Sequence, residues 1–180
     1  KIETLKKKKK TIVQCHGVFD LLHIGHIKHL KKARELGDIL IVTLTPDIYV
    51  NKGPGRPVFN QNLRTEALAA LSSVDFVLIN NTPTAANLIK IIKPDIYCKG
   101  QDYKDFSDDI TGEIKNEIKE LKKIKSKIVF TNELVQSSSS LINQTTNDYS
   151  SNQKKIIKKI NKNFNFKKIQ NEIEKIKKLK

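Results

Sequence analysis

Up to residue 131 of this 180-residue chain, apolar residues come alternately in short unbroken runs and at helical spacing. "TIVQCH" (11–16), "DILIVTLT" (38–45), "DFVLIN" (75–80), "DIYCKG" (95–100) and "KIVFT" (127–131) are rich in β-branched residues and read as buried strands. Between the first two, "HIGHIKHLKKAREL" (23–36) sets apolar Ile24, Ile27, Leu30 and Ala33 at three-residue steps, which predicts a helix with Gly37 as its C-cap. Further helices are predicted over 62–73, 84–93 and 112–124. Strand and helix in alternation, joined by short loops, build βαβ units and a parallel sheet covered on both faces, a three-layer Rossmann-like α/β domain. Ligands in such domains sit beyond the carboxyl ends of the strands, where strand order reverses. The segments 16–23, 46–60, 99–112 and 132–138 fall at that edge.

After Asn143 the pattern changes. "NQTTNDYSSNQ" reads as a polar linker, and "FKKIQNEIEKIKKLK" puts Phe166, Ile169, Ile173 and Ile176 on one face of a basic amphipathic helix. The expected organisation is a basic N-terminal segment (1–10), a globular domain (11–145), and a linker with helix (146–180) leading toward a further domain. No Met occurs, so residue 1 is not expected to be a native start.

Charge sharpens this division. The net charge of +15 resembles a nucleic-acid signature, but residues 1–10 carry +5 and residues 151–180 carry +9, leaving +1 for the body. Only three of the 34 basic residues are Arg, the better reader of bases and phosphates. Nucleic acid is therefore not an expected partner. No run of 18 apolar residues and no signal-peptide pattern occurs, so neither a membrane nor export is expected. Cys15 and Cys98 read as buried thiols in a reducing, cytoplasmic compartment, not as a disulfide.

Candidate chemistry gathers in one stretch. All four histidines, His16, His23, His26 and His29, lie between residues 15 and 38. His23-Ile24-Gly25-His26 opens a predicted helix, whose N-terminal N–H groups and partial positive charge attract phosphate. Gly25 removes a side chain where a nucleotide can approach. Imidazoles three residues apart share a face and can address the same oxygens. For His16 and His29 a structural role is expected. Zinc on His23, His26 and His29 would need added Cys or carboxylate ligands, and none stands at usable spacing, so no metal ligand is expected in the chain.

"GVFDLLHIGH" resembles the G-x-F-D-x-x-H-x-G-H signature of the cytidylyltransferase-like nucleotidyltransferases. "GRPVFNQNLRTEALAALSSVDFVL", "KPDIYCKGQDYKD" and "SSSSLIN" resemble, in the same order, motifs of the adenylyltransferase domain of heptose 1-phosphate adenylyltransferases. The likeness spans roughly residues 8 to 145. It implies attack of a sugar-phosphate oxygen on the α-phosphorus of ATP, with pyrophosphate leaving and Mg²⁺ carried by the nucleotide. It assigns His23, His26, Arg64 and Lys99 to catalysis, with Arg64 and Lys99 reaching phosphate as cations. Nucleotide binding falls to Gly17, Val18, Phe19, Gly25, Lys52, Ser137, Ser138 and Ser139, while Asp20 orients its loop. A plainer alternative pairs Arg64 with Glu66 or Asp75. Glycerol-phosphate cytidylyltransferases carry an Arg just before the last motif; "TNELVQSSSS" has none, which favours the adenylyl branch.

Expected partners are thus ATP (or CTP) and a sugar phosphate such as heptose 1-phosphate, with a homodimer and a fused or separate sugar kinase also open. The competing readings are a cytidylyltransferase using glycerol 3-phosphate, a non-catalytic nucleotide-binding module, and a polyanion-binding protein driven by the basic ends.

Overall fold

The computed structural model describes residues 2–53, 55–100 and 114–132. Ser137, Ser138 and Ser139, and the linker and helix expected after residue 143, lie outside them. The elements run α1 (Ile2–Lys7), β1 (Ile12–Gly17), α2 (Ile24–Glu35), β2 (Ile39–Leu44), α3 (Gln61–Ala69), β3 (Phe76–Ile79), α4 (Ala86–Ile92), β4 (Ile96–Gly100), α5 (Ile114–Lys123) and β5 (Lys127–Thr131), with a 3₁₀ turn at Asp47–Tyr49. The five strands form one parallel sheet in the order β3-β2-β1-β4-β5. Strand order reverses between β1 and β4, which puts the crevice for a ligand at Gly17 and Gly100. The α/β architecture read from the periodicity is the one observed.

Alternation along β1 divides its side chains between two cores. Val13 and Cys15 join Leu30, Ala33, Leu40, Val42, Leu68 and Cys98 on one face. Ile12 joins Ile41 and Ile92 on the other. Three aspartates fix the strands at their starts. Asp38, just before β2, accepts from Thr11 N (2.8 Å); Asp75, before β3, accepts from Leu40 N (2.7 Å); Asp95, before β4, accepts from Ile12 N (2.8 Å). Each carboxylate satisfies a backbone donor at the first turnless edge of the neighbouring strand, where the ladder has no partner to offer.

Of the four apolar residues at three-residue steps in α2, Leu30 and Ala33 are buried, as is Gly25, while Ile24 is 60% and Ile27 40% exposed. With 3.6 residues per turn, a three-residue step drifts about 60° around the axis, so a row of such steps leaves the buried face within two turns. The basic N-terminal segment also contributes to the core, because α1 lays Ile2 and Leu5 against the cluster around Ile12, Ile41 and Ile92. Lys6 Nζ donates to Lys93 O at 2.8 Å, fastening the helix to the end of α4.

Gly37 follows the C-cap residue Leu36. Its requirement is close approach: a Cβ there would stand 2.7 Å from Val13 Cγ2 and 2.9 Å from Thr11 O. Helix α2 can turn back onto β1 because this position has no side chain.

Candidate active site

The loop from β1 to α2 is held in an unusual conformation. Phe19 has φ = 48°, in the left-handed region that bulky residues avoid, and its ring is nonetheless buried. The ring turns back over the strand end, where a Cβ on Gly17 would come within 3.0 Å of Phe19 Cε2. Phe19 also meets the His26 ring edge-on, with centroids 5.3 Å apart.

Surrounding groups hold that conformation in place. The buried Asp20 carboxylate accepts from Arg56 Nε, from Val58 N at 2.7 Å and from Phe59 N at 3.2 Å. Arg64 is 1% exposed and donates to three loop carbonyls, Val18 O (Nη1, 2.5 Å), Phe59 O (Nε, 2.9 Å) and Thr45 O (Nη2, 3.0 Å), as well as to Asp47 Oδ1 (Nη2, 2.6 Å). These two arginines knit the β1–α2 loop to the segment between β2 and α3.

His23 and His26 stand at the head of α2. His23 is the N-cap, and its Nδ1 accepts from Gly25 N at 3.1 Å. That bond leaves the proton of the neutral ring on Nε2. His26 is held by a hydrogen bond to the Leu21 backbone. The two rings lie 3.9 Å apart, centroid to centroid. Among the described residues, His23 Nε2 and His26 Nδ1 are both buried with no hydrogen-bond partner. Buried polar atoms in a folded protein are almost always satisfied, so two orphaned nitrogens on adjacent rings mark a place for oxygen atoms of a ligand.

The electrostatics agree. Burial, then the neighbouring His23, Lys52 and His29, depress His26 to about 4. Burial and Lys52 likewise lower His23. Lys52 is thus close enough to both rings for its charge to be felt. The pair is neutral at physiological pH, beside a lysine and a helix N-terminus; a bound anion would favour protonation of either ring. His16 and His29 are elsewhere engaged. His16 Nδ1 meets Thr43 Oγ1 at 2.9 Å and its Nε2 meets Thr45 Oγ1 at 3.3 Å. His29 Nδ1 meets Thr131 Oγ1 at 2.7 Å. Burial pushes each of these rings down to about 4 as well.

Of the residues singled out from sequence, the structure brings together Gly17, Val18, Phe19, Gly25, His23 and His26, with Lys52 nearby. It separates Arg64 and Lys99 from that group. Arg64 pairs with neither Glu66 nor Asp75; its partners are three loop carbonyls and Asp47. Lys99, expected as a further cationic clamp, is likewise engaged within the protein. Strand alternation places it beside Tyr97 on the other face, where its Nζ forms a buried ion pair with Glu117 Oε2 at 2.9 Å. Glu117 is further held by Tyr97 Oη (2.9 Å) and Ala85 N (3.4 Å). Burial would raise the Glu117 carboxyl, but Lys99, His16 and these hydrogen bonds bring it below its ordinary value. A buried ammonium needs such a counter-charge.

Sequence reading missed Arg56, whose Nη2 is also a buried atom without a partner among the described residues. The available signal was the scarcity of arginine in a lysine-rich chain.

Comparison with known proteins agrees with this geometry. Residues 14–159 match the family described as cytidylyltransferase-like. The chain is 44% identical over 104 residues to the bifunctional protein HldE of Syntrophotalea carbinolica, a match covering 57% of this chain and 21% of that protein. It is 52% identical over 103 residues to HldE of Campylobacter jejuni subsp. doylei, covering 56% and 22%. The chain thus matches about a fifth of the length of these curated relatives. Among solved structures, the lipopolysaccharide core biosynthesis protein of Thermoplasma volcanium is 32% identical with a TM-score of 0.58, over 70% of this chain and 99% of that one. A pantoate-β-alanine ligase from Francisella tularensis, 20% identical with a TM-score of 0.50 over 88% and 74%, shares the fold.

Proposed function

The chain belongs to the cytidylyltransferase-like family of nucleotidyltransferases, and from that premise we propose that it transfers AMP from ATP to a sugar phosphate of the heptose 1-phosphate kind, releasing pyrophosphate. The observation that carries this reading is the pair of orphaned nitrogens, His23 Nε2 and His26 Nδ1, side by side at the N-terminus of α2. An acceptor phosphate oxygen attacks the α-phosphorus, the bond to the bridging oxygen breaks, and charge grows on the departing pyrophosphate. His23 Nε2–H donates to a phosphate oxygen as it stands. His26 does so once a proton occupies Nδ1, which the triphosphate itself favours by its charge. The first-turn N–H groups of α2 and the charge of Lys52 add to the same field. Phe19 and Gly17 shape the wall against which the nucleotide lies, and Arg64, Arg56 and Asp20 keep that wall in place.

The side chains gathered at α2 are nitrogen donors, and Asp20 is engaged by Arg56 and two amides. This donor set does not suit Mg²⁺, which favours oxygen ligands. Mg²⁺ would enter on the nucleotide's own phosphate oxygens, and no step here is assigned to it. A cytoplasmic setting fits both the substrates and the two buried thiols. Fusion to a sugar kinase in the native protein accords with the small share of the bifunctional relatives that this chain matches.

Pyrophosphate release with Mg²⁺, comparing ATP and CTP across sugar 1-phosphates and glycerol 3-phosphate, tests the reading. Turnover with ATP and a sugar 1-phosphate, falling by about 10²–10³-fold in His26→Ala, is the expected result. Turnover with CTP alone would move the chain to the cytidylyl branch. Binding of nucleotide without turnover on any acceptor would mark a binding module.

A further inference from the structure

One group of side chains takes no part in the reaction just described. The parallel register of β1 and β4 sets Cys15 directly opposite Cys98, and both thiols are buried on the α2 face of the sheet. His29, one turn beyond His26, comes down onto the same place. A ligand atom from each of the three lies within 4.8 Å of the other two.

His29 Nδ1 lies 2.7 Å from Thr131 Oγ1. A ring with its proton on Nδ1 donates to that hydroxyl and leaves the Nε2 lone pair for an ion. Metal-binding histidines are commonly oriented in this way, one nitrogen donating to a second partner while the other ligates.

We propose that Cys15, Cys98 and His29 form a site for a thiophilic divalent cation, with Zn²⁺ the ion of best fit. Zinc–sulfur and zinc–nitrogen bonds of about 2.3 and 2.1 Å around a tetrahedral ion put its ligands about 3.5–3.8 Å apart, so the trio closes on the ion by roughly an ångström or less. Charge selects among thiophilic ions. Two thiolates cancel the charge of Zn²⁺, leaving the dry core neutral beside the balanced Lys99–Glu117 pair; a monovalent ion would leave a buried negative charge there. On binding, two Zn–S bonds form as two Sγ–H protons pass to solvent. Among the described residues the group has three members, so the fourth position of the ion falls to water. The ion would fasten α2 to the two central strands where their order reverses, one turn below His26, and so fix the helix that presents His23 and His26.

Cobalt titration of the reduced, untagged 180-residue chain tests the site without reference to turnover. Expected are one equivalent of Co²⁺ with thiolate-to-cobalt charge-transfer absorption, displacement of Co²⁺ by Zn²⁺, and a melting temperature that rises with Zn²⁺. In Cys98→Ser the charge-transfer band should halve or vanish and affinity should fall about 100-fold or more. The wild-type spectrum alone counts the sulfurs, should that variant fail to fold. Metal binding without charge transfer, as at His23 and His26, would overturn the proposal. So would a band undiminished in Cys98→Ser, or a Cys15–Cys98 disulfide in protein kept reduced.

Discussion

Replacing Arg64 by alanine separates a guanidinium that holds loops together from one that holds phosphate. The wild-type side chain donates to Val18 O, Phe59 O and Thr45 O and pairs with Asp47. Alanine leaves three carbonyls without a donor. The Thr45 bond is fully buried and the other two are partly so. At 1–3 kcal/mol for each unsatisfied buried group, weighted toward the low end for the partly buried pair, the loss is about 4 kcal/mol. Asp47, one-third exposed, recovers little more than a few tenths by hydration. A small domain has about 5–15 kcal/mol in total, and a loss of this size should lower its melting temperature by roughly 10–20 °C. Turnover at a temperature where the variant is still folded should also fall, because Val18 and Phe59 flank the residues that shape the nucleotide wall. Arg64→Lys should recover less than half of the stability, since one compact ammonium cannot reach three carbonyls spread over two loops. Thermal denaturation by circular dichroism, beside pyrophosphate release, is the assay. A variant that melts within about 2 °C of wild type yet has lost turnover would refute the argument and return Arg64 to the phosphates.

Three other outcomes follow from the same structure. His16, His26 and His29 sit near 4 when folded and near 6.5 when unfolded, so the unfolded chain binds more protons between those values. Stability should therefore fall as pH drops from about 6.5 toward 4, with a slope of at most about 4 kcal/mol per pH unit; urea unfolding that is flat from pH 7 to 5 would contradict the burial of these rings. Triphosphate binding should raise the depressed His26 value, so calorimetry in buffers of differing ionisation enthalpy at pH 5–6 should register proton uptake, with affinity rising as pH falls; no uptake would remove His26 from the phosphate site. Gly37→Ala should cost about 1–3 kcal/mol in urea unfolding through the Val13 and Thr11 clashes, while KM for nucleotide stays unchanged.

Much of this was legible because strand and helix periodicities are local. Four of the five strands lie within their apolar runs and β1 passes the end of its own by one residue, Gly17, and the H-x-G-H turn falls where strand gives way to helix. What could not be read depends on pairings between distant segments. Whether Lys99 faces α2 or α5 follows from the register of β4, and its partner Glu117 stands 18 positions further along the chain. Cys15 and Cys98 stand 83 positions apart, and only the β1–β4 pairing makes them neighbours. Ile24 and Ile27 are apolar yet exposed, because three-residue steps rotate them away from the side of α2 that Leu30 and Ala33 bury.

The three arginines show what composition can still offer. Arg34 donates to Gly37 O at 2.6 Å and pairs with Asp75 at 3.2 Å; Arg56 clasps Asp20; Arg64 joins two loops. Each bridges at least one segment distant in sequence. In a chain whose other 31 basic residues are lysines, arginine stands where a planar fork with several fixed donors is needed, a task an ammonium cannot perform. Each arginine is thus engaged with the protein's own carbonyls or carboxylates. Burial and Lys52 lower both imidazoles at the head of α2, and His23 lowers His26 further. On the reading proposed above, such a site would bind a triphosphate more tightly than the neutral parts of the same nucleotide, because the triphosphate would supply the charge that lets His26 take up its proton.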